Sequence, residues 1–232
     1  MYATGEPGVS GVPAGTAGAR RSAAPRRGPE ITPAKLALDK VGALVAIVLL
    51  APVMAGIALV LRLSGGGPVL FAHRRVGAGG ELFNCLKFRT MYREADIMLK
   101  EVLETDPIAR KEWEQNHKLD ADHRVTPLGR FLRKTSLDEL PQFFNVLRGD
   151  MSLVGPRPVT LAEAKHYGEH FDAVFSVRPG VTGLWQVCGR SATTYAERVA
   201  MDLSYLRRAS ILQDLRIMVQ TPLAVVSRRG AL

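Results

Sequence analysis

Cysteine is scarce in this chain of 232 residues: only Cys85 and Cys188 occur, far apart and without the paired spacing of a zinc or redox site. We therefore expect a reduced, cytosolic setting and interpret both cysteines as packing residues. Aromatic residues are also few, at 6%, whereas proteins that bind single-stranded nucleic acid need exposed rings on which bases stack. This shortage argues against a nucleic-acid partner.

Negative charge is in deficit. The formal net charge is +9 and the sequence pI is near 9.9, while 47% of the residues are apolar. The apolar share is enough for a folded core. The positive charge indicates an anionic partner, and by itself it does not distinguish nucleic acid, a lipid surface or a phosphorylated substrate.

Long apolar runs are absent except for one, residues 41–61, which is long enough to cross a hydrocarbon layer of about 30 Å. Pro52 lies in its middle and cannot donate a helical hydrogen bond, so we predict a broken helix. A kinked crossing and a re-entrant hairpin both satisfy this constraint. Positive charge on both flanks, including Lys35, Lys40 and Arg62, favours the hairpin.

The remaining pattern predicts a mainly helical α+β protein with three parts. Residues 1–31 are rich in Gly, Ala, Pro and Arg and read as a disordered basic arm that can touch anionic membrane lipid. Residues 32–64 form the membrane anchor, and residues 65–232 form the folded domain. We predict a β-hairpin over 69–88, helices over 92–103, 108–117, 126–134, 137–147, 161–175, 195–207 and 212–226, and an extended region over 178–190. The last helices are amphipathic, and the final one suits a membrane surface.

Two adjacent acids, Asp138 and Glu139, are the first chemical signal. Ser136 and Glu139 have the spacing of a capping box, which predicts that both acids lie in the first turn of a helix and stay ionised near its positive end. Arg133 and Lys134 lie just upstream. Phosphoryl transfer needs such a set: an anionic nucleophile, a hard oxygen ligand for Mg²⁺ and cations for the phosphate charge.

Basic residues held by rigid or aromatic neighbours are the second signal. Pro156 and Pro158 fix the backbone around Arg157, whose guanidinium suits a diphosphate. Arg178 precedes a segment that adds an aromatic ring and the amide of Gln186. Lys87 and Arg89 alternate along a predicted strand and so share one face.

These motifs together resemble the bacterial sugar transferase family of monotopic phosphoglycosyl transferases, over about residues 32 to 232. The resemblance rests on Lys-Phe-Arg-Thr-Met at 87–91, Ser-Leu-Asp-Glu-Leu-Pro-Gln at 136–142, the run from Asn145 to Pro158, and Arg-Pro-Gly at 178–180. It implies transfer of a hexose-1-phosphate from a UDP-sugar to polyprenyl phosphate, with release of UMP. It also implies a membrane protein on the cytoplasmic face of the bacterial inner membrane.

By motif position, the resemblance gives Asp138 the role of a nucleophile that forms a covalent phosphosugar, and Glu139 the role of a Mg²⁺ ligand. Lys87, Arg133, Arg157 and Asp214 match further functional positions, the last without an assignable role. Residues 92–122 are similar to the branch that initiates exopolysaccharide or O-antigen synthesis, so galactose or glucose is the expected sugar, and a homo-oligomer is possible.

Two other classes compete with this interpretation. A membrane-tethered nucleic-acid or regulatory protein should show a basic groove with stacking rings, but here the arginines cluster around acids. A non-catalytic scaffold should have lost the acid pair, which is present. His166 and His170 stand four apart on a predicted helix, but no third metal ligand is evident, so we expect surface histidines.

Overall fold

A computed structural model describes residues 32–226, apart from 66, 117, 118, 120 and 189–192. The predicted basic arm, residues 1–31, lies outside these residues. The helices are α1 (Pro33–Leu63), α2 (Ala95–Thr105), α3 (Pro107–Asn116), α4 (Pro127–Lys134), α5 (Gln142–Arg148), α6 (Leu161–Ala164), α7 (Phe171–Val174), α8 (Leu184–Cys188), α9 (Tyr195–Arg208) and α10 (Ile211–Val226). The strands are β1 (Leu70–Val76), β2 (Leu82–Phe88), β3 (Ser152–Val154) and β4 (Gly180–Thr182). The chain is mainly helical with little sheet, as predicted.

Helix α1 contains the apolar run and continues through Pro52. Thr32 caps its start by accepting from the backbone N–H of Lys35, and Ser64 follows its end. Within the described part of the chain it is the one helix long and apolar enough to cross a membrane. The break that we predicted at Pro52 is not confirmed: the proline removes one hydrogen bond, but its fixed φ is compatible with a helix, and Ala51 before it is a strong helix former.

Both halves of α1 contact the folded domain. In the N-terminal half, the buried carboxylate of Asp39 accepts hydrogen bonds from the Ser152 hydroxyl and the Leu153 backbone N–H, both at 3.0 Å. In the C-terminal half, Met54 and Leu61 pack in one cluster with Phe88 of β2 and with α4. The rest of the helix surface carries exposed apolar side chains: Val41, Leu44, Val45, Val48, Leu49, Val53, Leu59, Val60 and Leu63.

The predicted β-hairpin is confirmed. Strands β1 and β2 pair antiparallel, with Leu70 opposite Phe88 and Val76 opposite Leu82. The connection holds a short 3₁₀ turn in which Gly79 and Gly80 have φ of 69° and 79°, a region that glycine adopts without steric cost. The glycines are therefore turn formers, and the hairpin delivers the C-terminal part of β2 to the middle of the domain.

The predicted helices are confirmed, with small shifts in their bounds, everywhere except around 137–147 and 161–175. Thr126 caps α4 and Pro127 opens it, as the sequence indicates. The 161–175 segment is divided into α6, a 3₁₀ stretch and α7, because Gly168 takes a φ of 47° that a continuous helix excludes. The predicted extended region 178–190 is wrong at residues 184–188, which form α8, and its positions 189 and 190 lie outside the described residues.

A short parallel pair, β3 and β4, crosses the core. Ser152 pairs with Gly180 and Val154 with Thr182. A side chain at Gly180 would collide with the backbone of Gly155, so glycine permits this close approach. The pair fixes the loop after β3, which carries Arg157. Cys85 packs in the core as expected, whereas Cys188 is exposed, so the packing interpretation is wrong for that cysteine.

Candidate active site

The two acids lie in a short turn between α4 and α5. Ser136 has a left-handed backbone with φ of 56°, residues Leu137–Glu139 form one 3₁₀ turn, and α5 begins only after Pro141. The predicted capping box is wrong, because Ser136 makes no side-chain cap. A proline at 141 lacks the N–H that a continuous helix would need there, so the turn and α5 stay separate. Gly149 ends α5 with φ of 97°, as predicted.

Glu139 is held by two cations from distant parts of the chain. Lys87, on β2, donates from Nζ to its Oε1 at 2.8 Å, and Arg157, in the loop after β3, approaches the same oxygen to 3.5 Å. Burial of the carboxyl opposes ionisation, but the charges of Lys87 and Arg157 outweigh it and lower the pKa of Glu139 to about 2. The convergence predicted from the sequence is therefore present around this residue.

Asp138 has the opposite environment. Its side chain is buried, and burial together with the neighbouring Glu139 charge raises the pKa of Asp138 to about 6, although Lys87, Arg133 and Arg157 act to lower it. The predicted placement in the first turn of a helix is wrong, because the acids lie in a 3₁₀ turn, whereas the predicted ionisation agrees with the low pKa of Glu139 and, above a pH of about 6, with that of Asp138. One acid is a fixed anion, and its neighbour is a carboxylate that ionises near neutral pH without a direct ion pair among the described residues.

A small cavity opens beside these groups. Arg75 and Gln142 line it and were not predicted as site residues. Arg75 shares its face of β1 with His73, and Gln142 is the last residue of the 136–142 motif. The full lining is Arg75, Cys85, Lys87, Glu139, Gln142, Arg157, Pro158, Val181 and Gln186. Five of these, namely Lys87, Glu139, Arg157, Pro158 and Gln186, were predicted as site residues.

Two further predicted residues stabilise the site without lining the cavity. Arg133 donates from Nε to the Thr90 hydroxyl at 2.9 Å, and its charge acts on Asp138. Pro156 is fully buried, and its carbonyl accepts from the backbone N–H of Gly180 at 2.8 Å. It thus fixes the loop that presents Arg157, in line with the predicted rigidity, and does not line the cavity.

Arg89, Arg178 and Asp214 make other contacts. Arg89 donates to the carbonyls of Leu61 and Gly65, at 3.1 and 2.9 Å, where a cation suits the negative end of α1. Strand alternation would place it with Lys87, but β2 ends at Phe88. The Arg178 guanidinium lies against Gly149. The ring of Trp185 is covered by Arg157, at 5.6 Å from its centroid, and not by Arg178 as the sequence suggested.

Asp214 belongs to the attachment of α1. Its carboxylate binds Lys35 Nζ at 2.8 Å and accepts from the Tyr205 hydroxyl at 2.8 Å. Lys35 also binds Asp39 at 3.0 Å, so a buried network joins α1 to α9 and α10. These partners explain the burial of Asp214 by a structural role. Asp214 does not line the cavity, and of the acid pair only Glu139 lines it, with Asp138 adjacent in the chain.

The acid pair is a reasonable place for Mg²⁺. The described residues contain no cluster of three or more His, Cys, Asp or Glu side chains. However, Mg²⁺ in phosphoryl-transfer sites is usually held by one or two carboxylates together with substrate phosphates. Glu139, ionised over the whole neutral range, and Asp138 beside it meet that requirement. His166 stacks on Tyr195 instead, with ring centroids 4.1 Å apart.

Comparison with known proteins identifies the family. The bacterial sugar transferase family model matches residues 31–228. The chain belongs to the bacterial sugar transferase family. It is 48% identical over 197 residues to the UDP-galactose-lipid carrier transferase of Erwinia amylovora, which covers 85% of this chain and 41% of that relative. It is 45% identical over 198 residues to the exopolysaccharide production protein ExoY of Rhizobium meliloti, with 85% and 88% covered.

A third relative is named as a glucose-1-phosphate transferase. The UDP-glucose:undecaprenyl-phosphate glucose-1-phosphate transferase of Caulobacter vibrioides is 40% identical over 195 residues, covering 81% of this chain and 67% of the relative. The chain thus spans less than half of the Erwinia relative but most of ExoY. The matched segment of this chain, residues 31–228, includes the acid pair and the cations around it.

The pKa of Asp138 predicts a pH dependence. If Asp138 reacts as the carboxylate, the apparent kcat/KM of the sugar donor should fall as the pH drops through about 6, because the protonated form is inactive. Arg133→Gln should move this acid limb to higher pH, since the Arg133 charge lowers the pKa of Asp138. The matched control is Arg130→Gln, an exposed position on the same helix, which should leave the limb in place. A limb below pH 4.5, or one that Arg133→Gln does not move, would contradict this interpretation.

Proposed function

We propose that this chain transfers hexose-1-phosphate from a UDP-hexose to polyprenyl phosphate, such as undecaprenyl phosphate, and releases UMP. The observation that carries the proposal is the pair of adjacent acids with opposite pKa shifts beside a cavity lined by cations. Relatives whose names state UDP-galactose or UDP-glucose transfer to a lipid carrier support the substrate class. This reaction would start the assembly of an exopolysaccharide or another glycoconjugate.

The reaction proceeds by two displacements at one phosphorus. In the first, an oxygen of Asp138 attacks the sugar-bearing phosphorus, the phosphoanhydride bond breaks, and its electron pair leaves with UMP. In the second, a phosphate oxygen of the lipid attacks the same phosphorus, and the bond to Asp138 breaks, which restores the carboxylate. One phosphoanhydride is broken and another is formed, so the acyl phosphate between them need not be a deep energy minimum.

The cations divide between the substrate and the acids. Lys87 and Arg157 hold Glu139 and face the cavity, where they can bind the donor phosphates, and Arg75 adds a further positive charge. Hydrogen bonds between charged partners contribute about 1.5–3 kcal/mol each. Asp138 has no such direct ion-pair partner among the described residues, so its carboxylate is available to react. In this arrangement Lys87, Arg157 and Arg75 bind the donor phosphates in the ground state, and Asp138 carries out the chemical step.

We propose Mg²⁺ as the cofactor, held by Glu139 together with the donor phosphates. When bound, the ion neutralises phosphate charge during transfer. Glu139 suits this role because its pKa of about 2 leaves it ionised at any pH at which the enzyme would work. The lysine and arginine that now neutralise Glu139 are then available to the diphosphate.

Galactose or glucose is the proposed sugar, because relatives named for each resemble the chain at 40 to 48% identity. Anionic membrane lipid is a proposed partner, as is a second copy of the chain. Exposed apolar side chains on α10, including Leu212, Leu215, Val219 and Leu223, offer a second surface for lipid beside α1.

We also propose that the protein is monotopic on the cytoplasmic face of the inner membrane. Lys35 and Leu61 are about 39 Å apart along a straight helix, more than the roughly 30 Å thickness of a hydrocarbon core. A crossing helix would carry one of these residues to the far side. Yet both residues contact the same folded domain. This arrangement supports an α1 that enters and stays on one side, with its exposed apolar face in lipid.

Activity provides the first test. Purified protein with UDP-galactose or UDP-glucose, Mg²⁺ and undecaprenyl phosphate should release UMP and form the lipid-linked hexose phosphate. Asp138→Asn should lower the rate by about 10³-fold or more, because the amide is not a nucleophile. The control Asp172→Asn changes an exposed acid and should keep wild-type rates. EDTA should stop turnover and Mg²⁺ should restore it. Full activity of Asp138→Asn would refute the assigned nucleophile, and no UMP from either sugar would refute the hexose assignment.

Topology is tested with single cysteines at the two ends of α1. In a Cys188→Ser background, Ala34→Cys and Ser64→Cys place thiols at exposed positions at either end of the helix. Neither thiol should react with a membrane-impermeant maleimide in intact spheroplasts, and both should react after permeabilisation. Labelling of one of them from outside would show that α1 crosses the membrane.

A further inference from the structure

One tryptophan ring contacts two guanidinium groups. The ring of Trp185 lies under Arg157, 5.6 Å from its centroid, and under Arg198, 4.8 Å away. Trp185 is only 7% exposed and belongs to α8, so its ring is a fixed surface. Arg157 is the cation that reaches Glu139. Arg198, on α9, therefore lies on the same ring as a residue that lines the active-site cavity, although the sequence did not mark it.

The Arg198 charge is not neutralised by a carboxylate within salt-bridge distance in the described part of the chain. Its Nε donates to the Thr193 hydroxyl at 3.3 Å, and its guanidinium also lies 5.1 Å from the Tyr195 ring. An arginine stacked on rings keeps its edge N–H groups available for an anion. The two rings thus orient the Arg198 guanidinium without neutralising its positive charge.

The nearest acids already have partners. Glu163 binds Arg75 at 2.8 Å and accepts from the Tyr195 hydroxyl at 3.2 Å, and the buried carboxylate of Asp202 accepts from the Tyr167 hydroxyl at 3.1 Å. Lys87 is paired with Glu139 at 2.8 Å. Arg157 shares Glu139 with Lys87 at the longer distance of 3.5 Å, and Arg198 has no carboxylate within salt-bridge distance among the described residues. A nucleoside diphosphate sugar carries one negative charge on each of its two phosphates, which matches two such guanidinium groups.

On the basis of the proposed function, we infer that Arg198 binds the nucleotide-side phosphate of the donor, the phosphate that leaves as UMP. Arg157, next to the acid pair, takes the sugar-side phosphate that Asp138 attacks. When the phosphoanhydride bond breaks, its electron pair remains on the UMP phosphate, and the Arg198 guanidinium stabilises that added charge. The lipid acceptor brings one phosphate to the sugar-bearing phosphorus after UMP has left, so it does not need Arg198.

The test compares Arg198→Ala and Arg198→Lys with the control Arg207→Ala, an exposed arginine on the same helix. Arg198→Ala should weaken inhibition by UMP about 10- to 100-fold and lower kcat/KM for the UDP-hexose by a similar factor. The KM for polyprenyl phosphate should stay unchanged. Inhibition by uridine, which has no phosphate, should also stay unchanged. Arg198→Lys should recover part of the loss and Arg207→Ala should resemble wild type.

Thermal unfolding of each variant identifies any loss of fold. If Arg198→Ala does not fold, the same comparison is made with Arg198→Lys and Arg198→Gln.

Three results would overturn the inference. Unchanged UMP inhibition in a folded Arg198→Ala would show that Arg198 does not contact the nucleotide. A raised KM for polyprenyl phosphate with unchanged UMP inhibition would assign Arg198 to the lipid phosphate. Equal losses for uridine and UMP would assign it to the nucleoside. In all three cases the wild-type protein would still transfer hexose phosphate, so the proposed function would stand. A wild-type protein that releases no UMP from any UDP-hexose would refute the proposed function itself.

Discussion

The ion pairs of Glu139 are the interaction on which the rest of the site depends. This carboxylate joins Lys87 of the hairpin to Arg157 of the loop after β3, and it does so from a turn between two helices. Removing either cation would leave this half-buried anion with a single partner, and removing both would leave it uncompensated, which costs far more than a surface ion pair contributes. Because Glu139 takes these partners, the adjacent Asp138 is buried without an ion-pair partner in the part of the chain that the structure describes. The same contacts that assemble the site therefore make its two acids different.

A second polar network attaches the site to the long apolar helix α1. Lys35 bridges Asp39 and Asp214, and Asp39 also binds the start of β3, the strand that leads to Arg157. The apolar half of the attachment, around Met54 and Leu61, packs on the end of β2 near Lys87. Both segments that supply cations to Glu139 are thus fixed against α1. A site built in this way lies close to the surface from which a lipid phosphate would arrive.

Local patterns in the sequence were enough to predict the hairpin, the start of α4 at Thr126 and the stop at Gly149, because turn and cap residues act within a few positions. The motifs also indicated that Lys87, Arg157 and the acids converge. The sequence could not predict the structural contacts of Arg89 and Asp214, because their partners on α1 are distant in the chain. Leu61 is 28 residues from Arg89, and Lys35 is farther still from Asp214. Nor could it predict the raised pKa of Asp138, which arises from burial by the whole fold. A spacing that fits a capping box was misleading because Pro141 divides the helix.

The central claim is that the carboxylate left free by this arrangement becomes covalently bonded to the sugar phosphate. Its most direct measurement is intact-protein mass spectrometry after incubation with UDP-galactose or UDP-glucose and Mg²⁺, with no lipid present. We predict one added hexose phosphate per chain, located by peptide mapping to residues 136–142, absent in Asp138→Asn and lost when undecaprenyl phosphate is added. An enzyme that shows no adduct, and releases UMP only when donor and lipid are both present, would contradict the account.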